Sequence, residues 1–321
     1  MNGFWDLLIR PALEAAAARE IVEIGSEGGK HTRRLLDWCS QHGARLHVIE
    51  PVPGYDPAEL AAAYPQAFVF HQATSLEILP KLGRIDAALI DGDHNWYTVH
   101  HELLELEKTN GADFPLVLLH DMSWPFARRD MYYAPERIPV EYRQPYACGG
   151  VLPGQAELVP AAGLSPEIHK SIAEGGPRNG VRTAVEDFMA QSALPLRLDV
   201  LPVDFGLGVL ASRTLLERRP ALRELLDGVN SREFDQRLLA YGESRRIDDL
   251  MAAQRVLEHL GLVDAELRRH EVEVKRLREM LETAHAELRA LRIQVQSTAK
   301  YLAWRVARPI WRSVRGWIGR A

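Results

Sequence analysis

The 321-residue chain has only two cysteines, Cys39 and Cys148, and no uninterrupted apolar run of about 18 residues. Two distant cysteines provide neither a disulfide framework nor the ligand spacing of a zinc site, which indicates a reducing compartment. The missing apolar run argues against a transmembrane helix. Because the first residues lack a cationic segment followed by an apolar core, we expect no signal peptide and a cytoplasmic location.

The net charge of −5 hides an uneven distribution. Residues 1–213 carry 18 basic and 28 acidic side chains, whereas residues 214–321 carry 21 basic and 16 acidic ones. An acidic front part argues against nucleic acid as a partner. The basic rear part instead predicts an anionic surface as a partner.

Short apolar runs alternate with helix-forming stretches after a leading helix over Phe4–Ala18. The five predicted strands are Ile21–Ile24, Leu46–Ile49, Ala67–His71, Ala87–Ile90 and Leu116–Leu119. The helices between them are Thr32–His42, Ala58–Tyr64, Ser75–Leu82 and Trp96–Lys108. This alternation predicts an α/β fold with a doubly wound, mostly parallel sheet. After a helix over Arg182–Gln191, the runs Leu196–Leu201 and Gly206–Ala211 predict an antiparallel hairpin that completes the sheet.

A long polar segment, residues 123–180, separates the fifth strand from that last helix. It is too long for an ordinary connection, so we expect an insertion that serves as a lid. It is rich in tyrosine and arginine, which stack on sugars and bind phosphate or carboxylate groups. These residues favour a glycosyl or phosphorylated glycan as the ligand under the lid. The alternative is a lid that only packs over the site, with its arginines solvated.

Beyond residue 213 the composition shifts to Leu, Arg, Glu and Ala, and we divide this part into a helical linker (214–258), a coiled coil (259–298) and a tail (299–321). Two series of residues, apolar except for His270, each recur every seven residues in the coiled-coil segment, and His270 is interpreted as a polar residue that sets the register. One series is Leu260, Leu267, Val274, Leu281, Leu288 and Val295, and the other is Val263, His270, Leu277, Ala284 and Leu291. They predict a coiled coil that joins a second copy of the chain or a glycosyltransferase. The alternative is one long helix packed on its own domain.

The tail has Lys300, five arginines and no acid. Trp304, Trp311 and Trp317 are interleaved with these cations. Tryptophan prefers the membrane–water interface and arginine pairs with anionic headgroups, so we predict peripheral association with the inner membrane. The alternatives are a disordered basic end and a further site for a coiled-coil partner.

A glycine-rich turn follows the first strand in the stretch IVEIGSEGGKHT, residues 21–32. Gly25 and Gly29 allow close approach to a ligand, and the helix that follows presents free N–H groups to it. Glu23 and Glu50, near the ends of the first two strands, suit a ligand with a ribose and a cationic or amine-bearing group. The glycine spacing is not G-x-G-x-x-G, which disfavours a dinucleotide.

Acids and histidines follow the fourth and fifth strands. Asp91, Asp93 and His94 come after the fourth strand, and His120 and Asp121 come after the fifth. The carboxyl ends of adjacent parallel strands meet at one edge, so we expect these side chains to be neighbours. Imidazole titrates near neutrality and therefore suits a general base. The carboxylates could hold a divalent metal that lowers the pKa of a hydroxyl group on the substrate. The alternative roles are helix capping for Asp93 and loop orientation for His94.

Three stretches together resemble motifs of class I S-adenosylmethionine-dependent methyltransferases. They are the glycine turn with Glu23, Gly25 and Gly29, the sequence IDAALIDGDHNWY at residues 85–97, and VLLHDM at residues 117–122. They are similar to a bacterial group that includes small-molecule and sugar O-methyltransferases. The resemblance covers about residues 19–211 and implies a Rossmann-like domain. The alternative for the glycine turn alone is a tight turn of another nucleotide-binding fold.

The resemblance implies contacts to S-adenosylmethionine from several strand ends. Gly25 and Gly29 would line the methionine part of the cofactor. Glu50 would bond the ribose hydroxyls, and Glu23 would support the floor of the pocket.

The resemblance also implies an adenine edge and a reaction centre. Thr74 and Ser75 would lie near the adenine, although relatives often have an acid where Thr74 stands. Asp91 would lie beside the transferable methyl group. Asp91 and Asp121 would hold a divalent metal such as Mg²⁺, and His120 stands where relatives can have a further acid.

Together these features predict an O-methyltransferase that modifies a sugar or glycan in bacterial surface-polysaccharide biosynthesis. The closing sequence TAKYLAWRVARPIWR resembles endings of bacterial enzymes in that process. One alternative is a scaffold that binds the cofactor without turnover and assembles a glycan-synthesis complex through its coiled coil. Another is a nicotinamide-dependent enzyme.

Overall fold

The computed structural model describes residues 1–318, with side chains described for residues 1–305, 307 and 308. The chain separates into two compact units, Met1–Arg245 and Arg246–Ala321. Part of the predicted tail lies outside the described residues. This part comprises residues 319–321, Arg320 among them, and the side chains of Trp311, Arg312, Arg315 and Trp317.

Ten strands form two sheets in the first unit. The strands are β1 (Glu20–Ile24), β2 (Arg45–Ile49), β3 (Phe68–His71), β4 (Ala87–Ile90), β5 (Leu116–Leu119), β6 (Met131–Tyr132), β7 (Tyr146–Cys148), β8 (His169–Ser171), β9 (Leu196–Leu201) and β10 (Leu207–Ser212). The large sheet has the order β3-β2-β1-β4-β5-β10-β9. Strands β1 to β5 are parallel, and β10 runs antiparallel to both β5 and β9. The predicted Rossmann-like sheet with an antiparallel hairpin strand is confirmed.

Helices cover both faces of this sheet and continue beyond it. They are α1 (Arg10–Ala16), α2 (Lys30–His42), α3 (Pro57–Ala63), α4 (Ser75–Ile78), α5 (Trp96–Asn110), α6 (Val181–Gln191), α7 (Arg213–Arg218), α8 (Pro220–Gly228) and α9 (Arg232–Ile318). A 3-10 turn (Asn2–Phe4) and a π-helical turn (Trp5–Ile9) precede α1, so the predicted leading helix forms in three pieces.

The central strands are buried because their side chains are apolar on both faces of the sheet. All four residues of β4 and of β5 are buried. Adjacent residues of β4 belong to different cores: Leu89 packs with α1 and α2, whereas Ile90 packs with α5 and α6. Two-sided burial is the property that makes parallel strands readable as short apolar runs.

The lid segment contains the small antiparallel sheet β6-β8-β7, which the sequence did not predict. Its anchor is Asp130, which is almost fully buried. Its carboxylate accepts hydrogen bonds from the N–H groups of Trp96 and Gly180 and from the Tyr132 hydroxyl, each at 2.7 Å. One carboxylate therefore ties the lid to the first residue of α5 and to the residue before α6.

The described part of the second unit is helical throughout and belongs to α9. The apolar heptad side chains described there are exposed, with Val263 at 40% and Val295 at 65%. The coiled coil stays a prediction, since its partner would have to be another chain. Among the described residues, no helix is both long and apolar enough to cross a lipid bilayer.

Candidate active site

The strand order of the large sheet reverses between β1 and β4, and doubly wound sheets bind ligands at such a point. Gly25 directly follows β1 and has φ +84°, and Asp91 directly follows β4. A Cβ atom on Gly25 would lie 2.3 Å from the carbonyl oxygen of Asp91. Glycine at this position therefore permits the close approach of two strand ends, and it brings the glycine turn next to the predicted reaction centre.

The Glu50 carboxylate holds the glycine turn in place. Oε2 accepts hydrogen bonds from the N–H groups of Ser26 at 2.9 Å and Glu27 at 3.1 Å, and Oε1 accepts one from Val52 at 2.9 Å. A carboxylate has about four acceptor positions, so one remains for a ribose hydroxyl. The structure thus gives Glu50 an anchoring role beside the predicted ligand contact.

The surface of the turn is closed at Gly29 and open at Gly28. A Cβ atom on Gly29 would lie 2.8 Å from the ring of Tyr55, whose hydroxyl is 3.1 Å from the Ser26 hydroxyl. A Cβ atom on Gly28 would have no other atom within 4 Å among the described residues. The open side leaves space in front of the turn, on the surface predicted to bind S-adenosylmethionine.

Glu23 lies beneath the turn and is only 2% exposed. Its Oε1 atom is 2.9 Å from Nδ1 of the buried His31 on α2, and the Trp5 ring meets His31 edge-on. This contact joins β1 to α2 below the ligand surface. The geometry fits Glu23 as a support of the pocket floor.

Thr74 and Ser75 lie at the start of α4, after β3. The N–H and hydroxyl of Thr74 both donate to Glu77 Oε2, at 2.9 and 2.8 Å, which is a capping arrangement. Ser75 is buried. The adenine contact stays a prediction: the Thr74 hydroxyl donates to Glu77 and keeps an acceptor position for an adenine amino group.

The four predicted catalytic residues meet at the carboxyl ends of β4 and β5. Asp121 Oδ2 lies 2.9 Å from His94 Nδ1 and 3.0 Å from His120 Nδ1. His120 Nδ1 also lies 3.2 Å from Asp91 Oδ1, and Asp91 Oδ2 contacts the Met1 amino group at 3.2 Å. Two carboxylates and two imidazoles thus form one continuous cluster of close polar contacts, which is called the acid–histidine cluster below.

The charges within this cluster shift its pKa values strongly. Burial by itself would lower the pKa of His120, but the hydrogen bonds and charges of Asp121 and Asp91 outweigh it and raise the pKa to about 9. Burial also opposes the charged form of His94, yet Asp121 raises the His94 pKa. The pKa of Asp121 lies well below its usual range, because the two histidines outweigh the effect of burial. His120 is therefore largely protonated at neutral pH, unlike an isolated histidine, and the pKa shift at His94 favours its protonated form as well.

The cluster also offers a set of metal ligands. Donor atoms of Asp91, His94 and Asp121 lie within 4.8 Å of one another. The two carboxylates were predicted as ligands, but His94 was not. An imidazole suits a transition ion, whereas Mg²⁺ prefers oxygen, so this donor set fits an ion such as Zn²⁺ or Fe²⁺ better than the expected Mg²⁺. A metal would replace the proton shared by His94 and Asp121.

Two further acids lie beside the cluster. Asp93 Oδ2 accepts a hydrogen bond from the Thr98 hydroxyl at 3.0 Å, and Asn95 caps α5 by accepting from the Thr98 N–H at 2.9 Å. Asp93 therefore contacts a side chain in the first turn of α5, while the capping role that was its alternative interpretation belongs to Asn95. Glu102 on α5 is completely buried, and burial raises its pKa to about 8. The sequence did not single out Glu102, because it occupies an ordinary position in a helical pattern.

The lid arginines bind other parts of the protein. Arg128 pairs with both oxygens of Glu186 on α6, at 2.6 and 2.8 Å. Arg129 is buried and donates to the Ser171 carbonyl at 2.6 Å, and Arg143 donates to a lid carbonyl at 2.6 Å. These three cations organise the lid, which weakens the expectation that they bind phosphate.

Two of the lid tyrosines also pack within the protein, and a third is exposed beside the acid–histidine cluster. Tyr132 is buried, and Tyr142 stacks on Trp96 with ring centroids 5.8 Å apart. Tyr133 is 61% exposed, and its ring centroid lies 6.1 Å from that of His94. Tyr133 therefore lies at the mouth of the acid–histidine cluster.

Residues 22–122 match the sequence family described as a methyltransferase domain. This stretch contains the glycine turn, Glu50, Thr74, Ser75 and the acid–histidine cluster, so it includes every site residue named from the sequence. No curated protein matches the chain in sequence.

Solved methyltransferase structures are similar to this chain. The SAH-bound methyltransferase PaMTH1 of Podospora anserina is 15% identical, with 66% of this chain and 78% of that chain covered and a TM-score of 0.39. The CcbJ methyltransferase of Streptomyces caelestis is 15% identical, with coverage of 66% and 89% and a TM-score of 0.37. The 1,6-didemethyltoxoflavin-N1-methyltransferase of Burkholderia thailandensis is 14% identical, with coverage of 64% and 77% and a TM-score of 0.34.

Proposed function

We propose that this protein is an S-adenosylmethionine-dependent O-methyltransferase whose acceptor is a sugar or glycan hydroxyl of bacterial surface-polysaccharide biosynthesis. The observation that carries the proposal is the acid–histidine cluster, which lies at the strand ends adjoining the glycine turn. The methyltransferase-domain match over residues 22–122 supports the cofactor. A buried acid and base beside that turn suit the removal of a hydroxyl proton.

In this mechanism the chain holds the donor and manages one proton. When bound, S-adenosylmethionine supplies a methyl group on a sulfonium that is already activated. Glu50 orders the glycine turn through the N–H groups of Ser26 and Glu27 and keeps one acceptor position for the ribose. Neutral His120 accepts the proton of the acceptor hydroxyl. Asp121 then stabilises the imidazolium that forms, because its carboxylate is 3.0 Å from Nδ1.

A divalent ion would be held by Asp91, His94 and Asp121. Such an ion lowers the pKa of a hydroxyl bound to it. His120 is outside this ligand set and would remain available for the proton. Methyl transfer in the presence of EDTA, with and without added Zn²⁺ or Mg²⁺, separates the two forms of the mechanism.

The test uses the purified full chain, calorimetry with S-adenosylmethionine, and transfer of a labelled methyl group to bacterial glycan fractions. His120→Asn should bind the cofactor normally and lose about 100-fold or more of the transfer rate, since general base catalysis contributes that much. His259→Asn, on exposed helix α9, is the matched control and should keep both properties. Unchanged transfer by His120→Asn, or selective binding of NAD over S-adenosylmethionine, contradicts the proposal.

The alternative function is a cofactor-binding scaffold, and the exposed apolar seam of α9 favours it. A scaffold would bind S-adenosylmethionine and a partner protein without transferring methyl groups. Cofactor binding with no methylated product from any glycan fraction would support this alternative over the enzyme.

We further propose that the protein acts in the cytoplasm at the inner face of an anionic membrane. In the described part of the tail, Trp304 is exposed and the Arg308 guanidinium lies 4.7 Å from the centre of its ring. Removal of residues 299–321 should abolish flotation with anionic vesicles and leave cofactor binding intact. Equal flotation of the full-length and shortened chains would contradict this location.

A further inference from the structure

The turn between β9 and β10 holds a phenylalanine in an unusual backbone conformation. Asp204, Phe205 and Gly206 have φ values of +50°, +66° and +89°. Three consecutive residues are thus in the left-handed region, which only glycine adopts without steric cost. A bulky side chain there is an outlier, and such strain persists only where surrounding contacts impose it.

Neighbouring groups impose this conformation. The Phe205 carbonyl accepts a hydrogen bond from the Ser123 N–H at 2.8 Å, and the Asp204 carboxylate accepts one from the Tyr241 hydroxyl at 2.5 Å. A Cβ atom on Gly206 would lie 2.6 Å from the Ser123 nitrogen, so the turn lies directly on the segment after β5. The contacts fix the position of the Phe205 ring relative to the acid–histidine cluster.

The Phe205 ring is directed toward that cluster. It remains 40% exposed, and its centroid lies 6.2 Å from that of His120 in an edge-to-face arrangement. Phe205 destabilises the folded chain in two ways: its backbone is strained, and its apolar ring stays partly exposed to water. A ligand that covers the ring would recover part of that loss.

A second exposed aromatic ring lies at the other histidine of the cluster. Tyr133 contacts His94 with its ring, and Phe205 contacts His120. Both histidines contact the same oxygen of Asp121, so each exposed ring lies beside one histidine of the same cluster. They come from separate parts of the chain, the lid and the β9–β10 turn.

The polar groups between these rings suit hydroxyls more than anions. The carboxylates of Asp91 and Asp121 contact the two imidazoles there, while Arg128 and Arg129 are engaged with Glu186 and with backbone carbonyls. A phosphate or carboxylate on the acceptor would therefore find these cations already engaged with acids or carbonyls. A polyhydroxylated ring, in contrast, has hydroxyls for the carboxylates and C–H faces for the aromatic rings.

We propose that Tyr133 and Phe205 form the two walls of the acceptor site, and that this site takes an uncharged pyranose ring. The inference rests on the proposed methyltransferase function and narrows its acceptor from glycans in general to neutral sugar residues. One hydroxyl of the ring reaches His120, and the aromatic walls hold the two faces of the ring.

The test is saturation-transfer NMR on the full chain with S-adenosylhomocysteine present. The probes are methyl α-glucopyranoside and methyl α-rhamnopyranoside, with methyl glucuronide, glucose 1-phosphate and p-cresol for comparison. The neutral glycosides should bind. Phe205→Asn and Tyr133→Ser should each weaken binding about fivefold to tenfold, as expected for the loss of one ring stacked on the ligand.

Matched variants protect this test against misfolding. Asparagine tolerates the left-handed conformation, so Phe205→Asn removes the ring without disturbing the turn. Phe205→Tyr and Tyr133→Phe keep the rings and should keep affinity, as should Val140→Ala at another exposed apolar position of the lid.

The outcomes separate the two proposals. Loss of S-adenosylhomocysteine binding in the unmodified chain would count against the methyltransferase function itself. If cofactor binding is normal, any one of three results would overturn the acceptor inference. They are preference for the charged sugars or p-cresol, absence of a glycoside signal at millimolar concentration, and equal affinity in Phe205→Asn.

Discussion

The carboxylate of Glu50 accepts a hydrogen bond from the backbone N–H of Ser26 at 2.9 Å, across the gap between the end of β2 and the glycine turn after β1. An N–H group at a tight turn needs a partner, and a charged acceptor provides a stronger one than water does. The residue predicted to hold the ribose is therefore also the residue that shapes the turn. Loss of the Glu50 charge would therefore disturb the shape of the glycine turn as well as the predicted hydrogen bond to the ribose.

Glu50→Gln should weaken S-adenosylmethionine binding by about 10-fold to 100-fold, because a charge-assisted hydrogen bond contributes roughly 1.5–3 kcal/mol and two N–H groups of the turn depend on this side chain. Isothermal calorimetry measures the change. Glu59→Gln, on the exposed side of α3, is the control and should bind normally. Normal affinity in Glu50→Gln would show that the turn keeps its shape without the carboxylate.

Gly25→Ala should lower the free energy of unfolding by more than about 2 kcal/mol. The added Cβ would lie 2.3 Å from the Asp91 carbonyl oxygen, and φ is +84°. Gly28→Ala makes no comparable contact and should stay within about 1 kcal/mol of the unmodified chain. Urea denaturation of both variants checks the difference. Equal stability of the two would mean that the ends of β1 and β4 separate easily.

The pH dependence of the metal-free enzyme should follow His120. With a pKa of about 9, only about 1% of this imidazole is neutral at pH 7, so kcat/KM should rise roughly tenfold per pH unit toward pH 9 and then level off. Initial rates in EDTA-containing buffers measure the profile. A profile that levels off near pH 6.5 would contradict the role of Asp121 and Asp91 in holding the proton.

The same pKa shift predicts an opposite trend in stability. The His120 pKa is raised above its unfolded value of 6.5, so the stabilisation is fully present below pH 6.5 and is lost as the pH rises through about 9. Thermal unfolding should therefore move to lower temperature over the range in which activity increases. His120→Asn should reduce this dependence.

Glu102→Gln should stabilise the protein at neutral pH. Burial raises the Glu102 pKa from 4.5 to about 8, so between these values the unfolded chain ionises while the folded chain keeps the proton, and stability falls with pH. At pH 7 the gain on substitution should be about 1–3 kcal/mol, and it should disappear toward pH 4.5. Denaturant titrations at several pH values measure it. Glu105→Gln on the same helix, which loses only an ion pair with Lys108, should change stability by less than about 1 kcal/mol at all pH values.

The heptad seam should make the full chain a homo-oligomer. Leu267 and Leu281 belong to the seam, and both are more than half exposed in the single chain. Leu267→Lys combined with Leu281→Lys should give a monomer in sedimentation velocity, because charges cannot be buried at core positions of a coiled coil. Glu279→Lys, outside the two apolar series, should leave the oligomer intact. A monomeric unmodified chain would exclude self-association and leave a different protein as the partner.

The sequence predicted the central sheet well because two-sided burial leaves a clear pattern. The bounds of β4 and β5 agree with the predicted runs Ala87–Ile90 and Leu116–Leu119. The lid sheet was missed for the opposite reason, since its strands have only two or three residues and show no alternation. Its organising bonds converge on Asp130 from as far as 50 residues away, at Gly180, and no local pattern encodes such a contact.

The candidate site was predictable to the extent that its residues follow strands. Asp91 and Asp121 were found because strand ends in parallel sheets bind ligands. Phe205 was missed because the sequence reads as an ordinary hairpin connection, and a left-handed backbone at phenylalanine has no sequence signature. The raised pKa values depend on distances such as 3.0 Å between His120 and Asp121, which only the folded chain defines.

The contact of Gly25 with the Asp91 backbone also bears on how this protein could be redesigned or could diverge. This close approach fixes the ends of β1 and β4 relative to each other, and the proposed donor and acceptor sites both adjoin these strand ends. The β9–β10 turn with Phe205 lies outside this junction of β1 and β4 and depends on its own contacts with Ser123 and Tyr241. New acceptor specificity should therefore arise by replacing the walls of the pocket while this junction is inherited unchanged.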